Sequence, residues 1–278
     1  MKVVASQIWP LITLSRARAL QLVSLFGLVG ILATTGTPVL AAGELTFEEF
    51  QTLATTARRL DKVTMLEPPQ GKSGMYMVLG DRFGVLHVYH LTRGESVEVW
   101  KSKHLIGQTD EVILGDLDQD GYEDVIVART TPGMVYAWGV EQFDLIYESL
   151  PADYPVVHSI CIGNVDEDPV AEIIVNANQK LVYIDGQTFN REWTSLLDYQ
   201  ASRMACGDVD GDGINEIVLN TGQVVDTRTG DVEWEDEVFY NRIELIDMDG
   251  DGVLEVLTEG NDLPVKVFDI DTRLEKRL

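Results

Sequence analysis

A motif repeated four times along the chain constrains its fold more than any other feature. The four segments read GDLDQDGYEDVIVA from Gly115, GNVDEDPVAEIIVN from Gly163, GDVDGDGINEIVLN from Gly207 and IDMDGDGVLEVLTE from Ile246. They recur at intervals of about 40 to 50 residues, near the length of one four-stranded blade of a β-propeller. The chain is therefore expected to be a stack of similar β units.

Each interval divides into four short strands rich in Val, Ile and Tyr. In the unit that starts at Arg203, strands are predicted up to Gly207, over 217–220, over 223–225 and up to Trp234. The same division, without an acidic loop, fits residues 61–103. No connection is long enough for a crossover helix. The sequence predicts an all-β fold over 61–278, a β-propeller of about five four-stranded blades.

The repeated loops have the spacing of a calcium-binding loop. In the pattern D-x-D-x-D-G-x-x-[DE], the carboxylates at positions 1, 3, 5 and 9 converge on one hard cation, and glycine at position 6 permits a sharp turn. The predicted ligands are Asp116, Asp118, Asp120 and Asp124; Asn164, Asp166, Asp168 and Glu172; Asp208, Asp210, Asp212 and Glu216; and Asp247, Asp249, Asp251 and Glu255.

Two considerations limit this assignment. Asp, Asn and Gly favour turns without any metal, although four loops in register favour calcium. The second loop has Pro169 at position 6, and proline does not adopt a positive φ, so this loop is expected to be distorted, weak or empty. We predict three or four calcium sites.

The acidic loops and their flanking strands resemble FG-GAP and VCBS-type repeats, found in integrin α-chain propellers and in many exported bacterial proteins. The resemblance covers about residues 105–278 and extends more weakly to 61. The chain lacks a clear Phe-Gly and Gly-Ala-Pro element, and it has five predicted blades where the integrin-type propeller has seven. The turns that lead to Trp193 and Trp234 also resemble quinoprotein-type repeats. The resemblance implies calcium-supported binding at surfaces and implies no catalytic residues.

The first 41 residues are typical of a secretory signal. They contain no acid, three bases and an apolar run over 22–33, and small residues precede a cleavage point after Ala41. An uncleaved anchor is the alternative. Residues 42–60 hold a short amphipathic helix, about 46–60, that begins with the capping box Thr46-Phe47-Glu48-Glu49. The protein is expected to be exported, to an extracellular, cell-surface or periplasmic location.

Charge and cysteine content exclude several classes. The formal net charge of −25 excludes binding to nucleic acid through phosphates, and no segment after the signal is apolar enough to span a membrane. Cys161 and Cys206 lie on the innermost strands of adjacent predicted blades. Export permits a disulfide, but the inner strands of adjacent blades are expected to lie too far apart for one. Free, buried cysteines are therefore favoured over a disulfide.

In a propeller, the predicted calcium loops and the connections between blades lie on opposite faces. The connections and the first positions of the inner strands hold the candidate ligand-binding residues Tyr154, His158, Tyr199, Arg203, Tyr240 and Arg242. Cations and aromatic rings there suit an acidic or carbohydrate ligand. The alternative is that the aromatic rings pack between blades and the cations pair with local acids.

No catalytic motif occurs, so a non-enzymatic function is predicted. We expect an exported, calcium-binding adhesion or recognition module for a protein or carbohydrate ligand. Two alternatives stay open: a calcium-supported propeller enzyme, such as a polysaccharide lyase or hydrolase, and a scaffold of a cell-envelope assembly. Five blades either close a ring within one chain or form an open arc that another subunit completes.

Overall fold

A computed structural model describes residues 63–66, 74–92, 95–166, 168–235, 239, 242–259 and 265–276. The described part is all-β and contains twenty strands. The predicted signal segment 1–41, the predicted helix within 42–60 and Tyr240 lie outside the described residues. Within those residues, no helix is long and apolar enough to cross a membrane.

The strands form five antiparallel sheets, each of four strands that are neighbours in the sequence. The first sheet contains β1 (Val63–Leu66), β2 (Met75–Gly80), β3 (Leu86–Thr92) and β4 (Glu95–Lys101). The second contains β5 (Gln108–Gly115), β6 (Val125–Thr131), β7 (Met134–Gly139) and β8 (Leu145–Glu148); the third contains β9 (Val157–Gly163), β10 (Glu172–Ala177), β11 (Lys180–Ile184) and β12 (Arg191–Thr194). The fourth contains β13 (Met204–Gly207), β14 (Glu216–Leu219), β15 (Gln223–Val225) and β16 (Val232–Glu235); the fifth contains β17 (Arg242–Ile246), β18 (Glu255–Glu259), β19 (Lys266–Asp269) and β20 (Leu274–Lys276).

The sheets stack side by side with their first strands together. β1 lies against β5, β5 against β9, β9 against β13 and β13 against β17, so the first strand of each sheet is the innermost. Middle strands such as β6 and β10 are buried on both faces, which explains their unbroken apolar runs. The fourth strands β8 and β12 are largely exposed. The four-strand division predicted from the sequence is confirmed for all five units.

Four apolar cores join the five sheets in order. Adjacent residues of one strand serve different cores: Ile126 packs toward the first sheet, whereas Val127 packs toward the third. Further cores lie between the third and fourth sheets and between the fourth and fifth. They contain Ile174, Leu181, Tyr199, Ile217 and Val225, and Val218, Trp234, Phe239, Val256 and Phe268, respectively. This arrangement of successive sheets is propeller-like.

The expectation of free cysteines was wrong, because Cys161 of β9 and Cys206 of β13 form a disulfide. Their Cα atoms lie 6.0 Å apart, within the range that a disulfide spans. The inner strands approach closely here because Gly163 has no side chain; a Cβ at that position would lie 2.8 Å from the Cβ of Cys206. The disulfide therefore links the innermost strands of the third and fourth sheets.

The topology separates two faces. The acidic loops follow the innermost strands β5, β9, β13 and β17, and we call their side the acidic face. The connections between sheets, 102–107, 149–156 and 195–203, lead into the other ends of β5, β9 and β13, and we call their side the connection face. The predicted placement of the loops and the connections on opposite sides is confirmed for these units.

Candidate metal-binding loops

The last acid of each loop holds the loop closed. It is the first residue of the second strand or directly precedes that strand, and its carboxylate accepts a hydrogen bond from the backbone N–H at loop position 2. The four bonds are Leu117 to Asp124 at 2.8 Å, Val165 to Glu172 at 2.9 Å, Val209 to Glu216 at 3.0 Å and Met248 to Glu255 at 2.7 Å. Glu172, Glu216 and Glu255 are buried. Each loop thus places an acid at the same position, and in three of the four loops this acid is buried.

Three loops share a glycine turn at position 6. Gly121, Gly213 and Gly252 adopt φ values of 93°, 87° and 95°, which favour glycine. Each donates its N–H to the first aspartate of its loop, at 2.7 Å to Asp116, 3.0 Å to Asp208 and 3.2 Å to Asp247. These bonds orient the first carboxylate toward the loop interior.

The second loop departs from this pattern, as the sequence predicted. Pro169 has no N–H to donate, and Asn164 replaces the first aspartate. The Asn164 side-chain amide instead donates to the Asp168 backbone oxygen at 3.0 Å. The N–H of Val170 still donates to the Asp168 carboxylate at 2.7 Å, so the second half of the loop keeps the common geometry.

Carboxylate oxygens converge in all four loops. In each group one oxygen from every residue lies within 4.8 Å of the others. The groups are Asp116, Asp118 and Asp124; Asp166, Asp168 and Glu172; Asp208, Asp210 and Glu216; and Asp247, Asp249 and Asp251. Clustered anionic oxygens suit a hard cation such as calcium, so the donor set fits the metal that the sequence predicted. Four further residues complete the predicted sets but lie outside these groups: Asp120, Asn164, Asp212 and Glu255.

Basic side chains already contact two of the loops. The Lys276 ammonium donates to Asp249 at 2.8 Å and also to Glu255, and it lies 3.2 Å from an Asp269 oxygen. These acids raise the pKa of Lys276 above its usual range. In the third loop, Arg228 pairs with Asp212. Because Lys276 competes for its ligands, the fourth loop is expected to bind calcium more weakly than the first.

Burial and mutual repulsion raise the pKa values of several acids in the metal-free loops. Burial, with Asp210 and Glu233 nearby, raises the pKa of Glu216 to about 8. Burial, with Asp166 and Asp168 nearby, raises the pKa of Glu172 to about 7. Burial also raises the pKa values of Asp124 and Asp210. Without a cation, the loops therefore hold protons that a calcium ion would displace.

These shifts predict how pH affects the metal-free protein. A carboxyl whose pKa is raised on folding binds more protons in the folded state than in the unfolded state, so stability falls as pH rises between the two values. In EGTA, the melting temperature is expected to fall from about pH 5 to about pH 8, with Glu216 contributing over the whole range. In millimolar calcium this fall should disappear, and Glu216→Gln should reduce it in EGTA. Melting curves at several pH values test this, and a rise in EGTA would contradict it.

The structure separates the predicted ligand-binding residues. Tyr154 and Tyr199 are buried in the cores on either side of the third sheet, so neither ring is available to a ligand in solution. Arg191 stacks over the Tyr154 ring, and the Tyr199 hydroxyl donates to the Gly230 oxygen at 3.3 Å. His158, Arg203 and Arg242 lie at or just before the starts of three successive innermost strands, on the connection face.

Sequence reasoning missed three charged residues beside the loops. Asp185 and Glu192 form a further acid group with Glu172, and Lys276 neutralises the corresponding acids of the fifth sheet. A signal was present in the sequence: Asp185 and Glu192 have the same separation along the chain as Asp269 and Lys276. Glu192 is acidic, whereas Lys276 is basic.

Comparison with known proteins supports the fold alone. No protein-family model matches the sequence, and no curated protein is detectably similar to it. Among solved structures, the chain resembles Sqt1 of Saccharomyces cerevisiae, with a TM-score of 0.52 and 12% identity. The chain has a propeller-like fold. The match covers 72% of this chain and 57% of Sqt1.

Proposed function

We propose that this protein is an exported, calcium-binding β-propeller of the FG-GAP and VCBS type that recognises a protein or carbohydrate ligand on its connection face. The observation that carries the proposal is the convergence of carboxylates in four loops placed at the same point of four successive sheets. Turn chemistry alone does not require acids to converge. A divalent cation gives this repeated arrangement a common cause.

Calcium would act in this protein as a structural ion. The acids at positions 1, 3 and 9 of the first and third loops would hold it, and the loop would gain a positive centre that offsets the repulsion among its acids. Each loop joins the innermost strand of a sheet to the strand beside it. A bound cation would therefore stiffen the centre of the fold and leave the connection face for a ligand.

The connection face has the surface expected of a binding site. Large apolar side chains are exposed there, each in a hairpin or a connection between sheets: Phe83, Ile106, Leu150, Val156, Leu196 and Leu197. Leu196 is 93% exposed. The bases Arg82, Lys103, Lys180 and Arg203 lie on the same face. Exposed apolar groups among polar ones are typical of surfaces that bind other molecules.

Site-specific photocrosslinking tests which face binds. A photoreactive phenylalanine analogue replaces Leu196 on the connection face or, as a matched control, the exposed Tyr122 on the acidic face. In cells of the source organism, we expect a discrete crosslinked product from position 196 that is lost in EGTA, and none from position 122. Crosslinking from position 122 alone would place ligand binding on the acidic face and contradict the proposal.

We also infer that the five sheets close a ring within one chain. The first and fifth sheets also have buried apolar residues on the faces turned away from the four cores. These are Met77 and Leu79 in the first sheet and Leu257 and Val267 in the fifth. Ring closure would bring these two faces together. Light scattering after gel filtration should give a monomer; a stable dimer would favour an open arc completed by a second subunit.

The disulfide supports the proposed location. Disulfides persist in oxidising compartments and are rare in reducing ones, so a linked Cys161 and Cys206 is consistent with export. The basic and apolar pattern of residues 1–41 supports the same location. Cell fractionation with a C-terminal tag tests it: export predicts the protein in the extracellular, surface or periplasmic fraction, and a cytosolic protein would contradict it.

A further inference from the structure

A second group of acids lies beside the acidic loop of the third sheet. One carboxylate oxygen from each of Glu172, Asp185 and Glu192 lies within 4.8 Å of the other two. Glu172 begins β10, Asp185 follows β11, and Glu192 lies in β12. Glu172 is 0% and Asp185 5% exposed, whereas Glu192 faces solvent. The group thus combines two buried acids with one exposed acid.

One carboxylate oxygen of this group has no hydrogen-bond partner. Glu172 Oε2 accepts the N–H of Val165, but Oε1 is buried and has no hydrogen-bond partner. Among the described residues, no lysine or arginine forms an ion pair with Glu172, Asp185 or Glu192. A buried, unsatisfied carboxylate oxygen beside two further acids is costly, and a bound cation would remove the cost.

In the fifth sheet, a lysine lies beside the corresponding acids. Glu255 begins β18 as Glu172 begins β10, and Asp269 ends β19 where Asp185 follows β11. Lys276 has the same separation from Asp269 along the chain that Glu192 has from Asp185, although Lys276 pairs regularly with Val267. Its ammonium contacts both Glu255 and Asp269. The fifth sheet therefore supplies its own cation. The third sheet has an acid in that place and lacks this internal charge.

The backbone places Glu192 beside the other two acids. The pairing of β11 with β12 shifts register between Tyr183, which pairs with Trp193, and Ile184, which pairs with Arg191. Glu192 is the extra residue of this β-bulge. A bulge redirects a side chain relative to its regular neighbours, and here it adds a third carboxylate to the pair formed by Glu172 and Asp185.

We propose that Glu172, Asp185 and Glu192 bind a divalent cation, of the calcium class, at the β11–β12 hairpin. This site is additional to the acidic loops, since two of its three ligands come from outside them. A cation bound there would supply in the third sheet the positive charge that Lys276 supplies in the fifth. The site shares Glu172 with the second acidic loop and does not depend on occupancy of the other three loops.

The test counts calcium ions bound to the purified full-length protein, stripped with EGTA and dialysed against millimolar calcium. Glu192→Lys introduces a positive charge beside Glu172 and Asp185, as Lys276 does beside Glu255 and Asp269, so it should lose one bound calcium per chain relative to the wild type. In EGTA it should melt at a higher temperature than the wild type, because the lysine relieves the repulsion. Asp198→Lys, an identical charge change at an exposed position in the connection after the third sheet, should leave the calcium count unchanged.

Two further variants keep the outcome decisive. Glu192→Gln removes the charge with little change in size, and it replaces the lysine variant if that variant does not fold. It should weaken calcium binding at one site by at least about tenfold. Asp210→Ala removes a ligand of the third acidic loop and reports on the proposed function separately. If Glu192→Lys and Glu192→Gln both keep the wild-type calcium count and affinity, the hairpin site is wrong, whatever the result for Asp210→Ala.

Discussion

Removing calcium is expected to lower the melting temperature of this protein by about 10 to 20 °C. A loop that binds calcium with a dissociation constant of about 10⁻⁴ M is stabilised by roughly 1.4 kcal/mol in millimolar calcium, or about 4 to 6 kcal/mol for three or four loops. For a domain of this size, each kcal/mol shifts the melting temperature by roughly 2 to 4 °C. Thermal melts in EGTA and in millimolar calcium measure the shift.

The matched variants assign this effect to the loops. Asp210→Ala removes a carboxylate from the group formed by Asp208, Asp210 and Glu216, so it should reduce the calcium-induced shift by about one site. Asp198→Asn removes an exposed acid that pairs with Lys180 and belongs to no acidic loop, so it should leave the shift unchanged. Equal melting temperatures in EGTA and calcium would mean that the acids are turn residues only.

Loss of the disulfide is expected to have an effect of similar size. Cys161 and Cys206 are separated by 45 residues, and a cross-link of that span stabilises a fold by about 4 kcal/mol in the chain-entropy model. The double variant Cys161→Ala with Cys206→Ala should therefore melt roughly 10 °C below the wild type. Reduction of the wild type should lower the melting temperature by a similar amount.

Thiol labelling checks the premise of this prediction. Without a reductant, the unfolded wild-type protein should react at neither cysteine, and after reduction it should react at both. Rapid labelling of both cysteines in unreduced protein would contradict the disulfide. A double variant that melts within about 2 °C of the wild type would show that the cross-link contributes little to stability.

The strand order and the acidic loops were predictable because they depend on local chemistry repeated in register. Runs such as Val125 to Ala128 mark strands buried on both faces, and Gly121, Gly213 and Gly252 mark turns that require a positive φ. The number of four-stranded units followed from the spacing of the repeats. The departure of the second loop followed from Pro169, which lacks the N–H that the other loops use.

Contacts between sheets were not predictable in the same way. Whether Cys161 and Cys206 form a disulfide depends on how closely β9 and β13 approach each other. The close approach is possible because Gly163 has no side chain. Tyr154 and Tyr199 lie in connections, and both are buried between sheets, as the alternative to ligand binding had it. The acid group at the β11–β12 hairpin depends on a bulge at Glu192 that no strand pattern reveals.

Crystals grown in millimolar calcium test the central claim most directly, through the anomalous scattering of the bound ions. The account predicts anomalous density in the first and third loops, about 2.3 to 2.6 Å from the carboxylate oxygens of Asp116, Asp118 and Asp124 and of Asp208, Asp210 and Glu216. Density in the fourth loop is expected to be weaker because Lys276 contacts two of its acids. Well-ordered loops without anomalous density at that calcium concentration would contradict the account.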